Sequence, residues 1–301
     1  MKNYSTPVAA QTLVGKSVRL GASRHHNREE KLRIITSVGT ARNHASALKL
    51  AGDWLLESKG KHLKNMTADD AAEYLCLRAM TVGQSAVDLA RQAINFHLLH
   101  KAPVPFVSAQ VQRELTNRAY TRAQIELLVL EASPKLKLSI SLALDAGLRA
   151  HELITISTPQ DLNESQRRGW VSNRFAGRDH DANFVVHGKG GLCRSVKITA
   201  PLADTLMEQV RPTMLAVSDR GVNYDSYFNL VGGSNFSMQF SKLSMAVLGF
   251  SHGAHGLRHS FAQARLHDLM CIGLKYTNAL DILSNELGHF STSNTLAYLR
   301  N

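Results

Sequence analysis

The feature that most constrains this 301-residue chain is a break. Between Ala102 and Gln112, Pro103 and Pro105 interrupt a sequence otherwise patterned for helices. Each proline removes a backbone donor and pushes the residue before it out of the α region, so no helix runs through. Apolar residues on the two sides must fill separate cores, and a chain of 301 residues that is 44% hydrophobic can supply both. The expected organisation is an arm over residues 1–38, a helical domain over 39–108 and a second domain over 109–301.

Residues 1–38 mix Ser, Asn, Gly, Arg and His without sustained periodicity, with scope for a short helix at Arg28–Ile35. The arm is expected to be mobile. From Thr40 to Ser58, Ala45, Leu48, Ala51, Trp54 and Leu55 recur at spacings of three and four, the signature of one buried helical face. Thr67 with Asp70 opens a second helix in capping-box fashion, and Val87, Ala90, Ile94 and Leu98 mark a third. Beyond the break, Thr121 and Gln124 have the same spacing ahead of Ile125, Leu128 and Val129. Leu136–Ile156 reads as one apolar helix carrying Gly147, Arg149 and Glu152. Asn183–His187 and Arg194–Thr199 are β-prone runs around Gly188-Lys189-Gly190-Gly191, which predicts a hairpin with its lysine at the turn. From Leu202 onward the pattern is mostly helical, with a loop at Val231–Ser237. The fold class is mainly α with a small β-hairpin.

Lys and Arg number 35 against 24 Asp and Glu, a formal charge of +11 with pI near 9.7, which draws the chain to a polyanion. Nucleic acid is the first candidate partner. No stretch approaches the roughly 18 apolar residues of a spanning helix, and the run Pro7–Val14 is too weak for a signal peptide. A soluble, cytoplasmic protein without a membrane partner is expected. Cys76, Cys193 and Cys271 are far apart and odd in number, so they imply neither a disulfide framework nor a zinc site. Val14-Gly15-Lys16-Ser17 ends like a phosphate-binding loop, but Ala10 stands where that motif needs glycine. His252, His255, His259 and His267 are dense, yet no carboxylate or thiolate stands among them at a ligand spacing. No metal or other cofactor is expected.

Singly, the remaining motifs have bland readings: Arg149 as a capping cation, Lys189 as an exposed turn residue, His289 as a helix C-cap, Tyr298 as packing. Their order says more. Gly147-Leu148-Arg149 with Glu152, Gly188-Lys189-Gly190, His255-Gly256-Leu257-Arg258-His259-Ser260-Phe261-Ala262, Leu287-Gly288-His289 and a tyrosine nine residues on follow one another. Together, over Thr121–Arg300, they resemble the catalytic domain of the tyrosine recombinases, the phage-type integrase and Xer-like family.

The resemblance implies a two-domain clamp, a helical core-binding domain and a mixed α+β catalytic domain, closing around double-stranded DNA. It implies a site-specific recombinase, a metal- and ATP-independent integrase that joins DNA to Tyr298 through a 3′-phosphotyrosine. Arg149 and Arg258 would meet the phosphate charge, because a guanidinium binds oxygen pairs in bidentate fashion and keeps its proton. His255, one helical turn before Arg258, would reach the same phosphate or handle the tyrosine proton. By the same resemblance His289 donates to a phosphate oxygen, Lys189 protonates the leaving 5′ oxygen and Glu152 supports the arginines. The expected assembly is a homo-tetramer on paired recombination sites, with room for an accessory directionality protein, integrating or excising a mobile element. Multimer resolution, type IB-like topoisomerase action and a catalytically silent DNA-binding role are the alternatives.

Three features depart from the family pattern. Pro159–Asp181, with Arg167-Arg168-Gly169-Trp170, reads as an insertion contacting DNA or a partner, and Leu266–Glu286 is long. The chain also stops three residues after Tyr298, which leaves the element linking protomers open. In the helical domain Arg42, Lys49, Lys59, Lys61, Lys64, Arg91 and Lys101 are candidate phosphate contacts.

Overall fold

The computed structural model describes residues 5–20, 33–112, 116–166, 169–188 and 191–300. The chain forms two compact units, Met1–Glu114 and Leu115–Asn301.

The first unit is helical: α1 (Thr6–Gly15), α2 (Val38–Lys59), a 3-10 turn (Leu63–Asn65), α3 (Ala68–Ala79) and α4 (Gln84–His97). The apolar stripe of α2 buries Leu48, Ala51 and Leu55 completely, against Leu75 of α3 and Ile94 of α4. Such burial is worth roughly 1.5–3 kcal/mol per large side chain. Thr67 and Asp70 close a reciprocal capping box at the start of α3. Where the sequence predicts a mobile arm, α1 packs into this core through Ala10 and Val14, and Val18 bridges to Ile35. The weak apolar run Pro7–Val14, interrupted by Gln11 and Thr12, is helical here because α2 covers it. Arg33–Ile35 are not helical, and the rest of the predicted helix lies outside the described residues. The proline segment is tied down by side chains of α4: Asn95 exchanges hydrogen bonds with the backbone of Val104 at 3.0 and 2.8 Å, and Gln84 does the same with Val107 and Ala109.

The second unit contains α5 (Arg122–Glu131), α6 (Pro134–Asp145), α7 (Glu152–Thr155), α8 (Ala200–Met207), α9 (Gly233–Leu248), α10 (His255–Cys271), α11 (Tyr276–Glu286) and α12 (Thr292–Leu296). Two antiparallel hairpins join them: β1 (Ala182–His187) with β2 (Cys193–Ile198), and β3 (Val210–Asp219) with β4 (Val222–Phe228). The mainly α fold with a small β component stands, with three corrections. The single helix predicted over Leu136–Ile156 is two, broken at Gly147, whose φ of +58° is left-handed and whose missing side chain makes room for the Phe261 ring. The helical reading beyond Leu202 missed β3–β4, which turns on Arg220 and Gly221, both at positive φ. Most of the loop predicted at Val231–Ser237 is the first turn of α9.

The described residues of Pro159–Asp181 form no helix or strand, yet they are anchored. Val171 N–H donates to Asn285 Oδ1, Phe175 N–H donates to a Glu286 carboxylate oxygen, and Arg265 donates to the Ala176 carbonyl at 2.8 Å. The segment braces the end of α11. Arg167 and Arg168 lie outside the described residues.

Candidate active site

Helical spacing puts His255, Arg258 and His259 on one face at the start of α10, and Arg258 is fully buried beneath them. Its guanidinium donates to the Gly147 carbonyl and to the Leu287 carbonyl, and its Nε has no hydrogen-bond partner. One arginine therefore pins together the break that follows α6 and the turn that follows α11. Burial and then the charge of Arg149 lower its pKa to about 9, so it remains a cation at neutral pH.

Arg149 follows the break at Gly147, and Glu152 lies one helical turn on. Arg149 Nη1 donates to Glu152 Oε1 at 2.8 Å, its backbone N–H donates to Oε2 at 2.8 Å, and Nη2 lies 3.3 Å from His289 Nε2. Glu152 is fully buried. Burial pushes its carboxyl upward, but Arg194, Arg149 and Arg258 override that and hold it well below the usual carboxylate range.

Arg194 was not among the residues singled out from the sequence. It is 1% exposed; Nη2 donates to Glu152 Oε2 at 2.7 Å and Nη1 donates to the Glu286 carbonyl at 2.6 Å. The signal was present. Along β2 burial alternates so that Arg194, Val196 and Ile198 face inward, and a charged residue at an inward position needs a buried partner. Glu286 is itself paired with Arg265 at 2.7 Å, so one buried ion pair links β2 to α7, a second links α10 to the end of α11, and the Arg194 hydrogen bond to the Glu286 carbonyl joins the two.

Tyr298 follows α12 by two residues and is 9% exposed. Its ring packs on His259, His255 and His289 at centroid distances of 4.6, 5.3 and 5.4 Å, with the Arg258 guanidinium 5.6 Å away. Gln263 of α10 donates to its carbonyl at 3.2 Å. Thr116 and Arg118 complete a cleft of about 450 Å³ lined by His255, His259, His289 and Tyr298. His259, a second residue not assigned from the sequence, shows its role only through this stacking.

The histidines are poor bases in this setting. Burial and then the charges of Arg258, Arg149 and Arg194 lower His289 to about 3. Burial and then Arg118 lower His259 to about 4. Although His255 is exposed, lost hydration followed by the charge of Arg258 brings it to about 4. All three rings are neutral at neutral pH, and an anion among them would reverse the effect of the cations.

The structure brings Arg149, Glu152, His255, Arg258, His289 and Tyr298 together. Lys189 lies outside the described residues. Among the described residues no group of three or more His, Cys, Asp and Glu is arranged to hold a metal ion, and no helix is long and apolar enough to cross a membrane. In the first unit Lys49, Lys59 and Lys61 are engaged by Asp53, Asp70 and Glu73, which leaves them less free as phosphate contacts.

The fold is that of the tyrosine recombinases. Among solved structures, the XerH site-specific recombinase bound to a palindromic difH substrate superposes with a TM-score of 0.58 at 15% identity, over 100% of this chain and 94% of that one. A lambda integrase dimer bound to a COC' core site does so with a TM-score of 0.55 at 16% identity, over 99% of this chain and 82% of that one. The Tn1549 transposon integrase in complex with circular intermediate DNA gives 0.50 at 14% identity, over 97% and 95%. The sequence matches no protein-family model and no curated protein.

Proposed function

We propose that this chain is a site-specific DNA recombinase whose Tyr298 attacks a phosphodiester. The observation that carries the proposal is the charge balance around Tyr298. Arg149, Arg194 and Arg258 surround one carboxylate, Glu152, which leaves two positive charges unmatched, and the Arg258 guanidinium lies 5.6 Å from the tyrosine ring. A phosphodiester gains a second negative charge on the way to its five-coordinate transition state, and fixed cations that meet it there lower the barrier. The Tyr298 oxygen forms a bond to phosphorus as the bond to the 5′ oxygen breaks. Lys189 protonates that oxygen; the phosphate anion, by offsetting the nearby guanidiniums, raises the two histidines so that His255 takes the tyrosine proton and His289 donates to a phosphate oxygen. The 3′-phosphotyrosine conserves the bond energy, so the reverse attack by a new 5′ hydroxyl rejoins the strand.

The partner is double-stranded DNA, for which the net charge of +11 supplies attraction. The assembly we infer is a tetramer on two sites, and the outcome is integration or excision of a mobile element. The test incubates wild-type and Tyr298→Phe protein with suicide substrates carrying candidate sites and looks for a denaturation-resistant protein–DNA band. The band is expected with wild type alone. A band with Tyr298→Phe, or none from wild type on DNA it binds, contradicts the proposal. Relaxation of supercoiled plasmid without paired-site products would point to a topoisomerase instead.

A further inference from the structure

His289 is engaged at both ring nitrogens by partners from different elements. Nδ1 lies 3.0 Å from Thr295 Oγ1 on α12, and Nε2 lies 3.3 Å from Arg149 Nη2. Thr295 is fully buried, and its Oγ1 is also 2.8 Å from the hydroxyl of Ser284 on α11. Ser284 in turn donates to the Leu280 carbonyl at 2.7 Å. The main chain closes the same knot: His289 N–H donates to the Ser284 carbonyl at 2.7 Å, and Tyr298 N–H donates to the Thr295 carbonyl at 2.9 Å.

The hydrogens in this chain can run only one way. A carbonyl oxygen only accepts, so the single proton of Ser284 goes to Leu280. The contact between the two hydroxyls must then use the proton of Thr295. Thr295 is left with lone pairs alone for His289, and Nδ1 must carry the ring proton. The other side of the ring agrees, because a guanidinium only donates and Nε2 must therefore be bare.

We propose that Thr295 is a positioning residue that locks His289 as its Nδ1–H tautomer, so that the Nε2 lone pair orients the Arg149 guanidinium. The low pKa of the ring is consistent with a neutral imidazole. One consequence rests on the recombinase reading. His289 can donate to a phosphate oxygen only after Nε2 gains a proton, which an arriving anion favours. Thr295, three residues before the nucleophile, thus ties the orientation of Arg149 to the helix that presents Tyr298.

The test is a long-range proton–nitrogen correlation spectrum of the full chain carrying nitrogen-15 histidine, at neutral pH without DNA, with His289→Gln to assign the ring. Wild type and Thr295→Ser are expected to show a protonated Nδ1 and a bare Nε2. Thr295→Val leaves Nδ1–H buried without an acceptor, so a population protonated at Nε2 should emerge. Ser284→Ala should do likewise by freeing the Thr295 proton to point at the ring, and it serves where Thr295→Val does not fold. A wild-type His289 protonated at Nε2 overturns the proposal. So do Thr295→Val and Ser284→Ala spectra identical to wild type, which would mean that Arg149 alone sets the tautomer. DNA cleavage plays no part in this readout, so its failure is distinct from failure of the recombinase reading.

Discussion

Each unit of the molecule holds one buried carboxylate between two cations, and the two arrangements serve different ends. In the helical unit Asp70 is met by Lys59 at 2.9 Å and Lys61 at 3.0 Å while its side chain also caps α3. Burial raises its pKa, and the hydrogen bonds from Lys59, Thr67 and Lys61 outweigh that and lower it. Both lysines remain partly in solvent, and every donor to Asp70 is local or flexible. In the second unit Glu152 is met by Arg194, itself buried, and by Arg149, which is 23% exposed at its side chain. Only the second arrangement holds its outer cation by two contacts to a fully buried carboxylate, the Arg149 side chain on Oε1 and its backbone N–H on Oε2. A lysine pair on a helix cap finishes a helix; a rigid guanidinium pair on a buried glutamate is the platform that the proposed reaction would use for its phosphate.

That contrast makes the largest expected effect Glu152→Gln. Removing one partner of a buried ion pair leaves Arg194 uncompensated, at a cost of about 3–5 kcal/mol, a large part of a typical domain stability of about 5–15 kcal/mol. Chemical denaturation of the full chain should show the loss in the unfolding of the second unit. Asp70→Asn should cost less, about 0.5–2 kcal/mol, because it weakens a cap whose lysines then return to water. If the two substitutions cost the same, the distinction between platform and cap fails.

A smaller effect sharpens the contrast through pH. The histidines start from 6.5 when unfolded and fall to about 4 for His97, His255 and His259 and about 3 for His289 when folded. Between those values the unfolded chain binds protons that the folded chain refuses, so stability falls as the pH drops from about 6.5 to about 4. Asp70 has the opposite start: its lowered carboxyl contributes stability above 3.8 that is lost only as the pH falls further. Melting temperatures recorded between pH 7 and 4 should decline, and a bound polyanion should flatten the decline by raising the histidines beside Tyr298. A flat profile without polyanion would contradict the crowded, cationic setting of these rings.

How much of this was legible in the sequence follows from the range of the interactions. Both capping boxes, Thr67 with Asp70 and Thr121 with Gln124, are contacts between residues three apart, and the sequence states them outright. The β1–β2 hairpin was legible from its alternation and glycine turn. The break at Gly147 was not, because its cause is the Phe261 ring over a hundred residues away. The β3–β4 hairpin hid behind Met214 and Leu215, which read as helix formers and are exposed on the ribbon. The site motifs stand in the sequence as an ordered set; Arg194 was legible only as a charge at an inward position of a predicted strand, without its partner Glu152, and Thr295 was not legible, since Ser284 is eleven residues away and the chain of hydrogen bonds to His289 exists only in the fold.

The central claim is that Tyr298 is the atom donor for a covalent bond to DNA. The most direct measurement traps wild-type protein on a suicide substrate, digests both protein and DNA, and locates the residual nucleotide by mass spectrometry. A nucleotide on the Tyr298 peptide is the predicted result. A nucleotide on a peptide carrying another tyrosine, such as Tyr276, or on a residue that is not tyrosine, would contradict the account.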